Sequence, residues 1–213
     1  MNLLITRPRY DYTTRYISAW AEPVVQSAKS KGHHVLDLQE ERANRQEVES
    51  MLKKQTPEVV FFNGHGSEDT LTGHNGEVIL RTGENEHLLS EKIIYALSCR
   101  SAKILGASSV KKGARAYIGY IEDFIFMYSS EKRTRPRVDR TAALFLEPSN
   151  QVPLSLIKGN SASRAYRSAK NAYARGIQKL LTSRTSKEDT ATIRYLFWDM
   201  KNLVCQGDGS ARP

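Results

Sequence analysis

Cysteine is nearly missing from this chain: of 213 residues, only Cys99 and Cys205 carry a thiol. Two thiols are too few for a disulfide scaffold, so a reducing compartment, the cytoplasm by default, is expected. Long apolar runs are missing too. None approaches the roughly 20 residues that a membrane-crossing helix needs. The opening Leu3-Leu4-Ile5 is cut off at once by Thr6-Arg7-Pro8-Arg9, so neither a span nor a signal peptide is expected. The phosphate-cradling patterns Gly-x-x-x-x-Gly-Lys-Ser/Thr and Gly-x-Gly-x-x-Gly do not occur, which argues against a hydrolase or transferase that holds phosphates on a glycine loop. With no internal repeat and no low-complexity block, residues 1–213 are expected to form a single domain, with 206–213 as a disordered polar tail.

What is present is an ordinary globular mixture, 39% hydrophobic and 26% charged, with a net charge of +9. Much of the excess lies in the Pro-containing stretch Arg133-Thr134-Arg135-Pro136-Arg137-Val138-Asp139-Arg140 and in Arg164, Arg167, Lys170, Arg175 and Lys179 along one helical segment. Such charge gains affinity for nucleic acid by releasing counterions. It also suits a solvated helix face or an acidic protein partner, so nucleic acid is an open but not favoured partner.

The hydrophobic pattern alternates strand and helix. Strands are expected at 2–5, 34–38, 58–62, 93–98 and 114–121, with helices at 14–31, 45–54 and 101–112; Pro23 should kink or interrupt the first. A small hairpin is expected around Val78-Ile79-Leu80. Further on, 139–145 reads as helical, 148–158 as irregular, 161–181 as the longest helix, and 193–199 and 202–205 as a last helix and strand. This order implies an α/β fold, a mainly parallel sheet with helices on both faces.

Two of those strands end on reactive side chains. Val59-Val60-Phe61-Phe62-Asn63-Gly64-His65-Gly66-Ser67 delivers an imidazole, and Ile93-Ile94-Tyr95-Ala96-Leu97-Ser98-Cys99 delivers a thiol. In an open parallel sheet the functional crevice lies beyond the carboxyl ends of the strands, where a nucleophile and its base could meet. A strand ending in His-Gly, followed 34 positions on by one ending in Cys, resembles the caspase-like cysteine peptidases. The resemblance is nearest to their gingipain and CHAT branch, through Gly64-His65-Gly66-Ser67, Ala96-Leu97-Ser98-Cys99 and Gly113-Ala114-Arg115-Ala116-Tyr117-Ile118-Gly119. It covers residues 1–125 and implies a caspase-like three-layer sandwich.

A cysteine attacks as thiolate, and an ordinary thiol is only a few per cent ionised at neutral pH. His65 is therefore expected as general base and acid, and a helix starting at Ser101 would further favour the thiolate of Cys99. The amides of Gly66 and Cys99 are the expected oxyanion donors. His74 is a rival base. Asp11, Glu122 and Asp123 are the carboxylates available to receive Arg or Lys of a substrate, since the resemblance implies an acidic pocket in peptidases that cleave after basic residues. The resulting expectation is a cysteine endopeptidase acting on a protein substrate, with no metal and no cofactor. Control would come from a regulatory protein partner or from processing of the basic loop at Arg133, Arg137 or Arg140, in a setting such as bacterial defence or regulated death. The alternative is a catalytically silent module that binds nucleic acid or an acidic partner through that loop and the basic helix.

Overall fold

The computed structural model describes residues 1–181 and 187–213. Strands β1 (Asn2–Arg7), β2 (His34–Gln39), β3 (Val59–Asn63), β6 (Ile93–Leu97), β7 (Ala116–Tyr120) and β8 (Leu203–Gly207) form a six-stranded sheet in the order β2-β1-β3-β6-β7-β8. All neighbours are parallel except β7 and β8. The helices are α1 (Tyr12–Ser30), α2 (Arg45–Lys54), α3 (Leu105–Lys111), α4 (Arg140–Ser149), α5 (Gln151–Ile157), α6 (Ala162–Leu180) and α7 (Lys187–Asn202). A separate antiparallel hairpin, β4 (Thr70–Thr72) and β5 (Val78–Arg81), fills the segment between the histidine and cysteine strands.

Strand alternation builds two cores. Leu3, Ile5, Phe61, Tyr95 and Ile118 face the layer of α1, α4, α5, α6 and α7, whereas Leu4, Val60, Phe62, Ile94 and Tyr117 face α2, α3 and the hairpin. Strands β3, β6 and β7 are buried along their whole length, as expected of a parallel sheet covered on both faces. Each fully buried Phe contributes roughly 1.5–3 kcal/mol of apolar transfer. This is the expected α/β architecture.

Several local expectations are corrected. One helix, α1, runs through Pro23 without a break. The helix after Cys99 begins at Leu105, not Ser101, because residues 101–104 form turns. The segment expected to be irregular holds α5, whose Pro153 lies in the first turn, where its missing N–H costs no intrahelical bond. The expected disordered tail is ordered. Gln206 and Gly207 belong to β8, Ala211 is 2% exposed, and the carbonyls of Ala211 and Gly209 accept the Ala162 and Ser163 amides at 2.9 Å. The tail thereby satisfies orphan donors at the start of α6, which its polar composition could not announce.

Candidate active site

The register of the central strands sets the two strand ends that carry His65 and Cys99 side by side. Asn63 of β3 pairs with Leu97 of β6, so His65 and Cys99 leave adjacent strands at the same offset beyond the last paired residues. The turns that follow are in contact: a Cβ added to Gly66 would lie 3.0 Å from the Cys99 carbonyl oxygen and 3.1 Å from Ser98 Cβ. A side chain at 66 would be tighter than ordinary contact and would require these neighbours to give by a few tenths of an ångström. Gly64 carries φ of +154°, and a Cβ there would meet the Thr72 carbonyl oxygen at 2.5 Å, so this turn also needs glycine.

The loop after β1 approaches from one side. Asp11 caps α1, accepting from the Thr14 amide at 2.7 Å, and its other oxygen lies 2.6 Å from His65 Nε2. A carboxylate can only accept, so Nε2 carries the proton and Nδ1 is left as the acceptor. Burial pushes the Asp11 carboxyl up, but the Thr14 amide and His65 outweigh it and hold it below its ordinary value. Tyr10 packs edge-on to His65, with ring centroids 6.2 Å apart. Asp11 was expected to receive a basic substrate residue, but it is engaged by the histidine. The aspartate three positions before Thr14 is a capping pattern that the sequence displayed.

The loop after β7 approaches from the other side. Cys99 is partly buried, with Sγ 3.8 Å from the Phe124 carbonyl oxygen. Burial first, and the Asp123 carboxylate after it, push the Cys99 thiol above its ordinary value, while Arg100 pulls the other way. The helix that follows starts only at Leu105, six positions on, and not directly after Cys99. Arg100 has φ of +56°, a left-handed conformation unusual for a residue with a side chain; its amide donates to the Glu122 carbonyl at 3.1 Å. Its Nε lies 2.9 Å from Asp123 Oδ1, close enough for an ion pair but not aligned as a hydrogen bond. The Glu122 carboxylate has no hydrogen bond or ion pair among the described residues. Neither the Gly66 nor the Cys99 amide donates to any acceptor among them, and both lie at the strand-end contact.

Other candidates lie elsewhere or are occupied. His74 accepts at Nδ1 from the Arg9 amide at 3.3 Å, and its Nε2 faces the Glu41 carboxylate at 3.8 Å. Arg133, Arg137 and Arg140 are exposed as expected, yet their loop is tied down. Trp20 Nε1 donates to the Pro136 carbonyl at 3.0 Å, and Tyr16 donates to Asp139 at 2.8 Å. Among the described residues no group of His, Cys, Asp and Glu is arranged to hold a metal ion. No helix among them is long and apolar enough to cross a membrane.

The sequence matches no family model and no curated protein. Solved structures do match by shape. One is the Arg-specific cysteine proteinase gingipain R, with 12% identity and a TM-score of 0.63 over 98% of this chain and 46% of that one. Another is the complex of the pro- and mature domains of RgpB from Porphyromonas gingivalis, with 10% identity and a TM-score of 0.61 over 99% of this chain and 47% of that one. The chain thus spans less than half the length of these proteinase chains. At such low identity the likeness concerns architecture alone: this chain shares the mainly parallel, caspase-like α/β fold of those structures.

Proposed function

We propose that the chain is a cysteine endopeptidase with Cys99 as nucleophile and His65 as general base and acid. The observation that carries this reading is the contact of the two strand ends, with His65 held by Asp11 in the tautomer that leaves Nδ1 ready for a proton. His65 takes the thiol proton as Cys99 sulfur bonds to the scissile carbonyl carbon, and the developing oxyanion is received by the Gly66 and Cys99 amides. The C–N bond then breaks, the amine leaves with the proton from His65, and water activated by the same imidazole releases the acid from the thioester. Asp11 acts as the positioning carboxylate. No step calls for a metal or cofactor.

We read Glu122 and Asp123 as the pocket carboxylates for Arg or Lys, with Glu122 the better placed because its charge is not already paired. That one solved neighbour is named as Arg-specific supports the basic preference. Control by a protein partner, or by cleavage after Arg133, Arg137 or Arg140, belongs to the reading, as do the cytoplasm and a bacterial defence or regulated-death setting. The exposed arginines of the loop before α4 favour a second reading, a catalytically silent module that binds nucleic acid or an acidic partner.

Labelling with peptidyl electrophiles that differ in the residue before the reactive group, read by mass spectrometry, decides between them. Modification of Cys99 is expected with Arg or Lys probes, lost in His65→Ala and weakened in Glu122→Gln. Cys205, which burial pushes up to about 11, should stay unlabelled. Label on Cys205 alone, or a preference for Asp unaffected by Glu122→Gln, would exclude the mechanism or the pocket respectively.

A further inference from the structure

Arginines that take no part in the chemistry at Cys99 converge on the same edge of the sheet. Arg9 follows β1, Arg15 lies in the first turn of α1, and Arg133 and Arg137 come from the loop between β7 and α4. Arg9, Arg15 and Arg133 line a cleft of about 350 Å³ with Glu40 and Pro136. Arg137 lines an adjoining cleft of about 230 Å³ that shares Arg9. Arg7 beneath them serves structure, being buried between Glu22 and Asp37. Of the cleft arginines, Arg9 pairs with Glu40 at 3.2 Å, while Arg133 lies over the Tyr12 and Tyr128 rings at 4.9 and 5.9 Å. Arg15 and Arg137 have no carboxylate partner among the described residues.

Like charges gathered around a concavity repel unless an anion comes between them. This cleft holds them there on fixed backbone, since Trp20 and Tyr16 pin the loop that carries Arg133 and Arg137. It is also joined to the candidate active site by three consecutive residues: Tyr10 against His65, Asp11 bonded to it, and Tyr12 under Arg133.

We propose that this cleft is an exosite for an acidic stretch of the protein substrate, separate from the pocket that reads the cleaved residue. The assignment rests on the peptidase reading above. Separate guanidinium forks suit carboxylates, which they bind in pairs of hydrogen bonds. Glu40 interrupts the positive surface, which a continuous phosphate backbone would not favour.

The test uses the full chain carrying Cys99→Ala and fluorescence anisotropy with three labelled probes: a glutamate-rich peptide, its glutamine counterpart, and single-stranded RNA of equal length. The glutamate peptide should bind about tenfold more tightly than the glutamine one, weaken as salt rises, and lose about tenfold with Arg15→Glu/Arg137→Glu. Arg15→Gln/Arg137→Gln should fall between. Equal binding of the two peptides, no effect of the charge reversals, or tighter binding of RNA overturns the proposal. Turnover of a short peptide amide by the unmodified chain is measured separately. Turnover without acidic-peptide binding rejects the exosite alone, and selective binding without turnover rejects the peptidase reading alone.

Discussion

At Asp11 one carboxylate serves two neighbours, capping α1 through the Thr14 amide and holding Nε2 of His65. The two tasks separate by substitution, because asparagine caps a helix nearly as well as aspartate but brings no negative charge. Asp11→Asn should therefore keep the fold while turnover of a peptide amide falls at least about tenfold with KM little changed, the expected result when an imidazole loses its orienting carboxylate. Asp11→Ala should lose the cap as well, lowering stability by about 1 kcal/mol. The stability profile has a definite sign. With its folded value held below the ordinary one, Asp11 contributes above the ordinary carboxyl range and loses that contribution as pH falls through the depressed value. The asparagine variant should lack this part of the acid limb. An Asp11→Asn enzyme with undiminished kcat would remove Asp11 from the mechanism. Arg100 shows the same economy of position: its left-handed backbone, held by the Glu122 carbonyl, turns the chain away directly after Cys99 at a cost on the order of 1–3 kcal/mol.

The element that fixes the far wall of the site is α7. Trp198 Nε1 donates to the Asp123 carbonyl at 2.9 Å, Asp199 Oδ1 accepts from the Ile125 amide at 3.0 Å, and the Asn202 carbonyl accepts from Ile121 at 3.1 Å. One helix end thus clamps the loop whose Phe124 carbonyl meets Cys99. Asp199 is fully buried, and burial pushes its carboxyl well above the ordinary range against the pull of the Ile125 amide. The neutral form is what stabilises the fold. That contribution is complete below the ordinary carboxyl value and is lost as pH rises through the raised one. Asp199→Asn keeps an acceptor for Ile125 and does not titrate. Its melting temperature should gain on the wild type as pH rises above the ordinary carboxyl range, as measured by circular dichroism. Parallel profiles for the two proteins would show that Asp199 does not carry this dependence. Nothing in the sequence singled out Asp199, because its role depends on where α7 docks. The strands ending at Asn63 and Leu97 were legible because their buried character repeats at every residue.

Across the whole molecule, the parts legible in advance are those where local pattern and tertiary environment agree. Buried β-branched runs gave the central strands, and the glycines flanking His65 marked a turn that tolerates no side chain. The parts that were not legible are those where distant chain segments satisfy each other. Asp11 is 54 residues from the histidine it holds, and the antiparallel β8 closes against β7 from the far end of the chain. The residues after β8 are the clearest case, because their polar composition predicts disorder while their backbone completes another element. Asp208 donates its amide to the Arg115 carbonyl at 2.7 Å and anchors Ser210 through its carboxylate, which leaves the Gly209 and Ala211 carbonyls facing the first amides of α6. Ser161 caps the same helix through the Arg164 amide at 3.4 Å, a long contact that leaves the tail as the stronger partner. Removing residues 208–213 would expose those amides and the buried Ala211 site together. At about 1 kcal/mol for each of the three lost backbone bonds, plus the apolar contact, the cost is about 3–4 kcal/mol. For a domain of this size that corresponds to a melting temperature lower by roughly 6–16 °C. The loss should appear as a smaller midpoint with unchanged cooperativity, and Asp208→Ala should reproduce part of it by releasing the turn. A truncated chain that melts within a degree of the intact one would mean that α6 caps itself and that the tail merely lies against it.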